Sequence, residues 1–298
     1  MKNFNYQGLK SSNYFEGWYF RVTDIKNNIN LALIFAVTRY EKDPHAFIQI
    51  FDQVIQENTY IKMDETEFNF INNTVSIGKN TLSLNKVFLQ YKDLIIDLNI
   101  SNQDLLKKES AMGYLAKFPL ECYQEVIYLD ATVNGTITKN NETITIDGKG
   151  YMEKTYGKRF PKKWFWLQAN HFSEPLAFTL AGGYVPTLLI KKFGFFVILH
   201  YKDKEYAFGT YNFAKCKINE IGEHVEFIIT KGNFKLIILT RQKNPVVLVG
   251  PSDYGNMNLD VLESVESIFK LTFYEDKSLV FESESHYAGF EWMYQKKL

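Results

Sequence analysis

At 298 residues the chain exceeds the usual single-domain length, and its 46% hydrophobic content is enough for a sizeable core and excludes disorder. Its 34 basic and 34 acidic side chains give a formal charge of zero, which lacks the basic excess of a nucleic-acid binder. Two cysteines, Cys122 and Cys216, are too few for a disulfide framework and are expected as buried thiols.

The leading residues Met-Lys-Asn-Phe-Asn-Tyr-Gln hold no apolar signal core. The longest apolar run, residues 193–199, has strand length and falls far short of the roughly 18 to 20 residues of a membrane span. A cytoplasmic protein without a transmembrane segment is expected, with peripheral membrane contact and oligomeric state left open.

Taken in chain order, short segments rich in Ile, Val, Phe, Tyr and Thr recur at 31–40, 46–50, 94–100, 127–133, 142–146, 195–201, 205–211, 224–230, 234–240 and 267–273. Many alternate apolar with polar residues, as in Thr143-Ile-Thr-Ile-Asp147, which marks a half-buried strand. Asn134-Gly135 and Asp147-Gly148 read as tight reversals, and one short helix is expected near 102–109. The class is all-β, and the strand spacing fits barrels or sandwiches.

The halves echo each other. Trp18-Tyr19-Phe20 aligns with Trp164-Phe165-Trp166, and Leu31-Ala32 with Leu176-Ala177. Gly150-Tyr-Met-Glu153 closes the first half and Gly289-Phe-Glu291 the second. Pro161 interrupts pairing between them, which predicts one domain over 1–160 and another over 161–298.

Strand alternation places Glu16, Trp18, Phe20 and Val22 on one face. It likewise groups Trp164, Trp166, Gln168 and Asn170, opposite Phe165, Leu167, Ala169 and His171. Two indoles followed by two amides suit an apolar pocket with directed hydrogen bonds; the alternative is a filled barrel with a satisfied rim. Glu16 and Glu153 lie among rings, where desolvation would hold a carboxyl protonated as an acid. The alternative is a structural ion pair with Arg21, Lys154 or Arg159. The five histidines are scattered singly, so no metal site is expected. Gly182-Gly183 reads as a bulge or a close-approach site rather than a phosphate cradle.

Tyr14-Phe-Glu-Gly-Trp-Tyr-Phe20, Glu153-Lys154, Phe160-Pro-Lys-Lys-Trp-Phe-Trp166, Gln168 and Asn170 together resemble the tocopherol cyclase family. The resemblance continues through Leu180-Ala-Gly-Gly183 and His200-Tyr201. It implies two tandem lipocalin-like antiparallel β-barrels, a fold shared with carotenoid-hydratase-like proteins. It also implies cofactor-free, proton-initiated closure of a chromanol ring on a prenylated quinol or similar isoprenoid lipid. On that reading Glu153 is the first choice of acid and Glu16 the second. Trp18, Tyr156, Trp164 and Trp166 would line the cation, while Gln168, Asn170 and His171 would orient the quinol head. Plant-type cyclases commonly carry Trp at the position of Tyr156 and a longer glycine run after Gly183. The Asn-, Lys- and Ile-rich composition suggests a bacterium of low genomic GC and a different substrate. A non-catalytic lipid carrier and an isoprenoid hydratase are the alternatives.

Overall fold

The computed structural model describes residues 2–8, 12–52, 57–107, 109–186 and 191–294. Among them there are strands and short 3-10 turns but no α-helix. Twelve strands form the first sheet: β1 (Phe15–Asp24), β2 (Ile29–Thr38), β3 (His45–Asp52), β4 (Glu57–Asp64), β5 (Phe68–Ile71), β6 (Thr74–Ile77), β7 (Asn80–Ser83), β8 (Lys86–Tyr91), β9 (Leu94–Ser101), β10 (Cys122–Tyr128), β11 (Thr132–Lys139) and β12 (Glu142–Gly157). Ten form the second: β13 (Trp164–Ala169), β14 (Leu176–Pro186), β15 (Lys191–Tyr201), β16 (Lys204–Gly209), β17 (Lys215–Ile221), β18 (His224–Lys231), β19 (Phe234–Arg241), β20 (Val246–Pro251), β21 (Met257–Glu275) and β22 (Ser278–Trp292). Both are curled, near-closed antiparallel sheets in which a late strand returns onto the first: β12 pairs with β1, and β22 with β13. These are two lipocalin-like barrels in tandem.

The chain divides into two compact units. The first holds Met1–Glu109, Glu121–Phe160 and Leu248–Asp260; the second holds Ser110–Leu120, Pro161–Val247 and Val261–Leu298. The excursion 248–260 is tied into the first unit by named bonds. The Gln49 amide exchanges hydrogen bonds with the Val249 backbone at 2.8 and 2.9 Å, and Thr38 Oγ1 donates to the Gly255 carbonyl at 2.6 Å.

Each unit has its own apolar cluster, built from every second residue along its strands. In the first, Leu31, Leu33 and Phe35 of β2 join Trp18, Phe20 and Val22 of β1 and Ile96, Leu98 and Ile100 of β9. In the second, Phe165, Leu167 and Ala169 of β13 join Phe178, Val197, Phe227, Leu271 and Phe290.

Several expectations need correction. No helix forms near 102–109; the described residues there are bends with one bridge, Leu105 to Tyr128. Asn134-Gly135 and Asp147-Gly148 lie inside β11 and β12 rather than at reversals. Their glycines admit neighbouring backbone: a Cβ on Gly135 would stand 2.1 Å from the Asp97 carbonyl oxygen, and one on Gly148 2.5 Å from that of Thr23. The actual β11–β12 turn is Asn140-Asn141, both at positive φ, as suits a two-residue hairpin loop. Gly182 and Gly183 are a close-approach site, hemmed by Phe165 and the Lys163 carbonyl. Cys122 and Cys216 are free and half-buried rather than fully buried, and burial pushes the Cys216 thiol up to about 12.

Candidate functional site

The inner face of the first barrel carries the most unusual chemistry. In the β1–β12 register Trp18 stands opposite Lys154, and Glu16 opposite Tyr156. Opposed residues share a face, so the pleat that buries Trp18 also sends an ammonium group into the apolar cluster. Lys154 Nζ lies 2.9 Å from Glu16 Oε1, and both side chains are 0% exposed. The Tyr14 hydroxyl donates to Glu16 Oε2 at 2.7 Å, and the Gln7 backbone N–H reaches both oxygens at 3.1 Å. The ammonium also donates to the Asn5 carbonyl and lies 5.6 Å from the Trp18 ring centroid and 4.9 Å from that of Tyr156.

Burial lowers the Lys154 pKa, and Glu16 pulls it back up. Burial, reinforced by the charge of Glu16, raises the Tyr14 hydroxyl far above its usual range, so Tyr14 remains a donor. Of the two readings of Glu16, the ion pair is the one realised. The ring faces of Trp18 and Tyr156, expected to line a substrate cation, already hold the cation of Lys154.

Glu153 is one residue from Lys154 and therefore faces the other way. It stands opposite Tyr19 on β1 and Val126 on β10, with 6% of its surface exposed. The Tyr151 hydroxyl donates to Glu153 Oε2 at 2.5 Å and the Gln124 amide at 2.9 Å. The ring of Tyr19 meets Tyr151 edge-on at 6.4 Å. Of the cations expected near Glu153, Lys154 pairs with Glu16, Arg159 pairs with Glu121 and Asp253, and Arg21 donates to Asn30. Glu153 accepts from a phenol and an amide, and the two glutamates lie on opposite sides of one sheet.

In the second barrel Trp164, Trp166, Gln168 and Asn170 do share a buried face. That face is turned away from the apolar cluster, which takes Phe165, Leu167 and Ala169 instead. Aligning Trp18 with Trp164 is therefore one residue out of phase, since Trp18 points inward and Trp164 does not. His171 lies past the end of β13, its ring 6.1 Å from that of Tyr287. The structure thus gathers Glu16, Trp18 and Tyr156 around Lys154, sets Glu153 apart, and groups the two indoles and two amides in the other unit.

Two carboxyl groups on that second face escaped sequence reasoning. Glu291 stands opposite Trp166, and Glu263 opposite Glu291, in one row across β13, β22 and β21. The Trp164 indole N–H donates to Glu291 Oε2 at 2.6 Å. Gly289 makes room for the neighbouring indole, because a Cβ there would stand 2.6 Å from the Trp166 ring. The echo of Glu153 in Gly289-Phe-Glu291 was the available signal.

A family model described as tocopherol cyclase-like matches residues 89–292, more than half of the chain. The protein belongs to the tocopherol cyclase-like family. The rice protein (Oryza sativa subsp. japonica) named "Probable tocopherol cyclase, chloroplastic" is 31% identical over 115 residues, covering 34% of this chain and 23% of that protein. The maize (Zea mays) tocopherol cyclase is 34% identical over 82 residues, covering 26% of this chain and 17% of that protein. The chain thus aligns with less than a quarter of these relatives' length. Kievitone hydratase from Nectria haematococca superposes with a TM-score of 0.57 over 94% of this chain and 89% of its own, at 11% identity. That likeness carries the tandem-barrel fold alone. No helix among the described residues is long and apolar enough to cross a membrane.

Proposed function

We propose that this cytoplasmic protein is a tocopherol-cyclase-like enzyme that closes a ring on a prenylated quinol or similar isoprenoid lipid, with Glu153 as the proton donor. Family membership supports the reaction class. The observation that carries the assignment is a buried carboxyl that accepts from the Tyr151 hydroxyl and the Gln124 amide. A carboxyl sheltered from bulk water is a suitable general acid toward a double bond, whereas Glu16 is engaged by an ammonium group.

In the proposed step, Glu153 adds its proton to one carbon of a trisubstituted double bond, leaving a tertiary cation and a carboxylate. Tyr151 and Gln124 donate to that carboxylate and stabilise it. The quinol oxygen bonds to the cation and releases its own proton, which returns to Glu153, so the net change is an isomerisation. In the second unit, on the face turned away from its apolar cluster, Trp164 and Trp166 offer ring faces beside the Gln168 and Asn170 amides, with His171 past the end of β13, as polar groups for a hydrophobic ligand. Trp18 and Tyr156 take a supporting part, holding Lys154.

The test is Glu153→Gln incubated with a prenylated hydroquinone. Turnover should fall by roughly 10²- to 10⁴-fold, the usual contribution of a general acid, with the fold retained. Undiminished turnover would remove Glu153 from the role. A second reading places the donor at Glu291, favoured by its bond to Trp164 and its place opposite Trp166. Isolation of a tertiary alcohol in place of the ring-closed product would instead identify a hydratase. A bound lipid that never turns over would identify a carrier.

A further inference from the structure

We propose that residues 2–7 are a displaceable internal ligand of the first barrel, occupying the site where the Glu16–Lys154 pair would receive the head of a phenol or hydroquinone. The segment contributes a buried ring and three backbone groups. Phe4 is fully buried within the apolar cluster, its ring 6.1 Å from Trp18 and 6.0 Å from Phe70. The Phe4 carbonyl accepts from the Trp18 indole at 2.9 Å, the Asn5 carbonyl accepts from Lys154, and the Gln7 N–H donates to Glu16. Tyr6 stacks edge-on against Phe68 at 5.0 Å. Each of these partners, an indole N–H, an ammonium and a carboxylate, belongs to the barrel wall and is met by backbone from a single short stretch.

That stretch has no strand pairing of its own; it begins with a three-residue 3-10 turn and continues as irregular chain to Gly8. It is held by these bonds and rings, by the Asn3 amide donating to the Val126 carbonyl at 3.5 Å and by the Arg39 guanidinium 5.9 Å from the Tyr6 ring centroid, and its Tyr6 hydroxyl is buried without a hydrogen-bond partner among the described residues. A buried polar atom left so makes the plugged state less favourable than its contacts suggest. A flat neutral ring with one acceptor oxygen and one donor hydroxyl reproduces the set: the acceptor meets Lys154 and Trp18, and the hydroxyl meets Glu16. The inference concerns occupancy of the inner face and does not rest on the proton transfer assigned to Glu153, which lies on the other face.

The experiment is amide hydrogen exchange on the full-length protein with and without trimethylhydroquinone at saturating concentration. Displacement predicts faster exchange at residues 3–7, with strands β1 and β12 unchanged or more protected. It also predicts that Phe4→Ala with Tyr6→Ala tightens trimethylhydroquinone binding on the order of tenfold, because a closed fraction no longer competes. Unchanged or slowed exchange at residues 3–7 on binding would overturn the proposal. Exchange in the unmutated protein reports even if the double variant fails to fold. Glu153→Gln should leave the exchange response intact, so loss of turnover with displacement retained separates this inference from the catalytic one.

Discussion

The two barrels share a fold and differ in what their walls hold. The first buries an ion pair on its inner face, with Glu16 and Lys154 among tryptophan and tyrosine rings. The second lines its inner face with Phe165, Phe178, Phe227 and Phe273, and places Glu291, Glu263 and the amides on the opposite side. The difference comes from the pleat. In β1 the residues alternating with Trp18 include Glu16, whereas in β13 the inward phase begins at Phe165. Apolar packing tolerates the loss of a contact gradually, while a buried charge depends on every partner. The first barrel is thus the more specific and the more fragile.

The largest effect should come from Lys154→Met, which strands the Glu16 carboxylate. Breaking a buried pair from one side costs about 3–5 kcal/mol, read as a lower urea midpoint. Adding Glu16→Gln to Lys154→Met should recover part of that loss; a double variant less stable than the single would break the comparison. In the second barrel Phe227→Ala should cost a similar ~3–5 kcal/mol as a cavity, but no second substitution of a polar neighbour should restore it.

Alkaline titration sharpens the contrast. Burial raises the hydroxyls of Tyr14, Tyr60, Tyr128 and Tyr156 in the first unit well above their ordinary value of 10.0, whereas Tyr211 and Tyr294 in the second reach only about 12. A folded-state pKa above the unfolded one confers stability that is complete below pH 10 and is lost as pH rises. The unfolded chain then releases protons that the folded chain keeps. Fully buried Tyr14 and Tyr128 should each cost roughly 1 kcal/mol per pH unit above that point. Tryptophan fluorescence of single-tryptophan variants retaining Trp18 or Trp166 should show the first unit failing at lower pH. Simultaneous loss would contradict it. The smallest effect should come from Asn141→Ala at the β11–β12 turn, about 1 kcal/mol for forcing a side chain into positive φ.

Strand alternation disclosed the all-β class, most strand positions and the face shared by Glu16, Trp18 and Phe20, because those patterns are local. It did not disclose which face of β13 turns inward, since both Trp164 and Phe165 are large and apolar. Nor did it show that Lys154 would serve Glu16 rather than its sequence neighbour Glu153. That choice is set by the register of β12 against β1, a pairing of residues over a hundred positions apart. Asn134-Gly135 and Asp147-Gly148 misled for a related reason: a glycine that admits a neighbouring strand looks, in sequence, like one that makes a turn. Glu263 carried no signal, because its meaning comes from standing opposite Glu291.

The most direct test of the catalytic reading compares Glu153→Gln with Glu16→Gln in one product assay on a prenylated hydroquinone. Glu153→Gln should abolish the ring-closed product while its urea midpoint stays near that of the parent, and Glu16→Gln should first and foremost lower the midpoint. Full product formation by folded Glu153→Gln protein would contradict it.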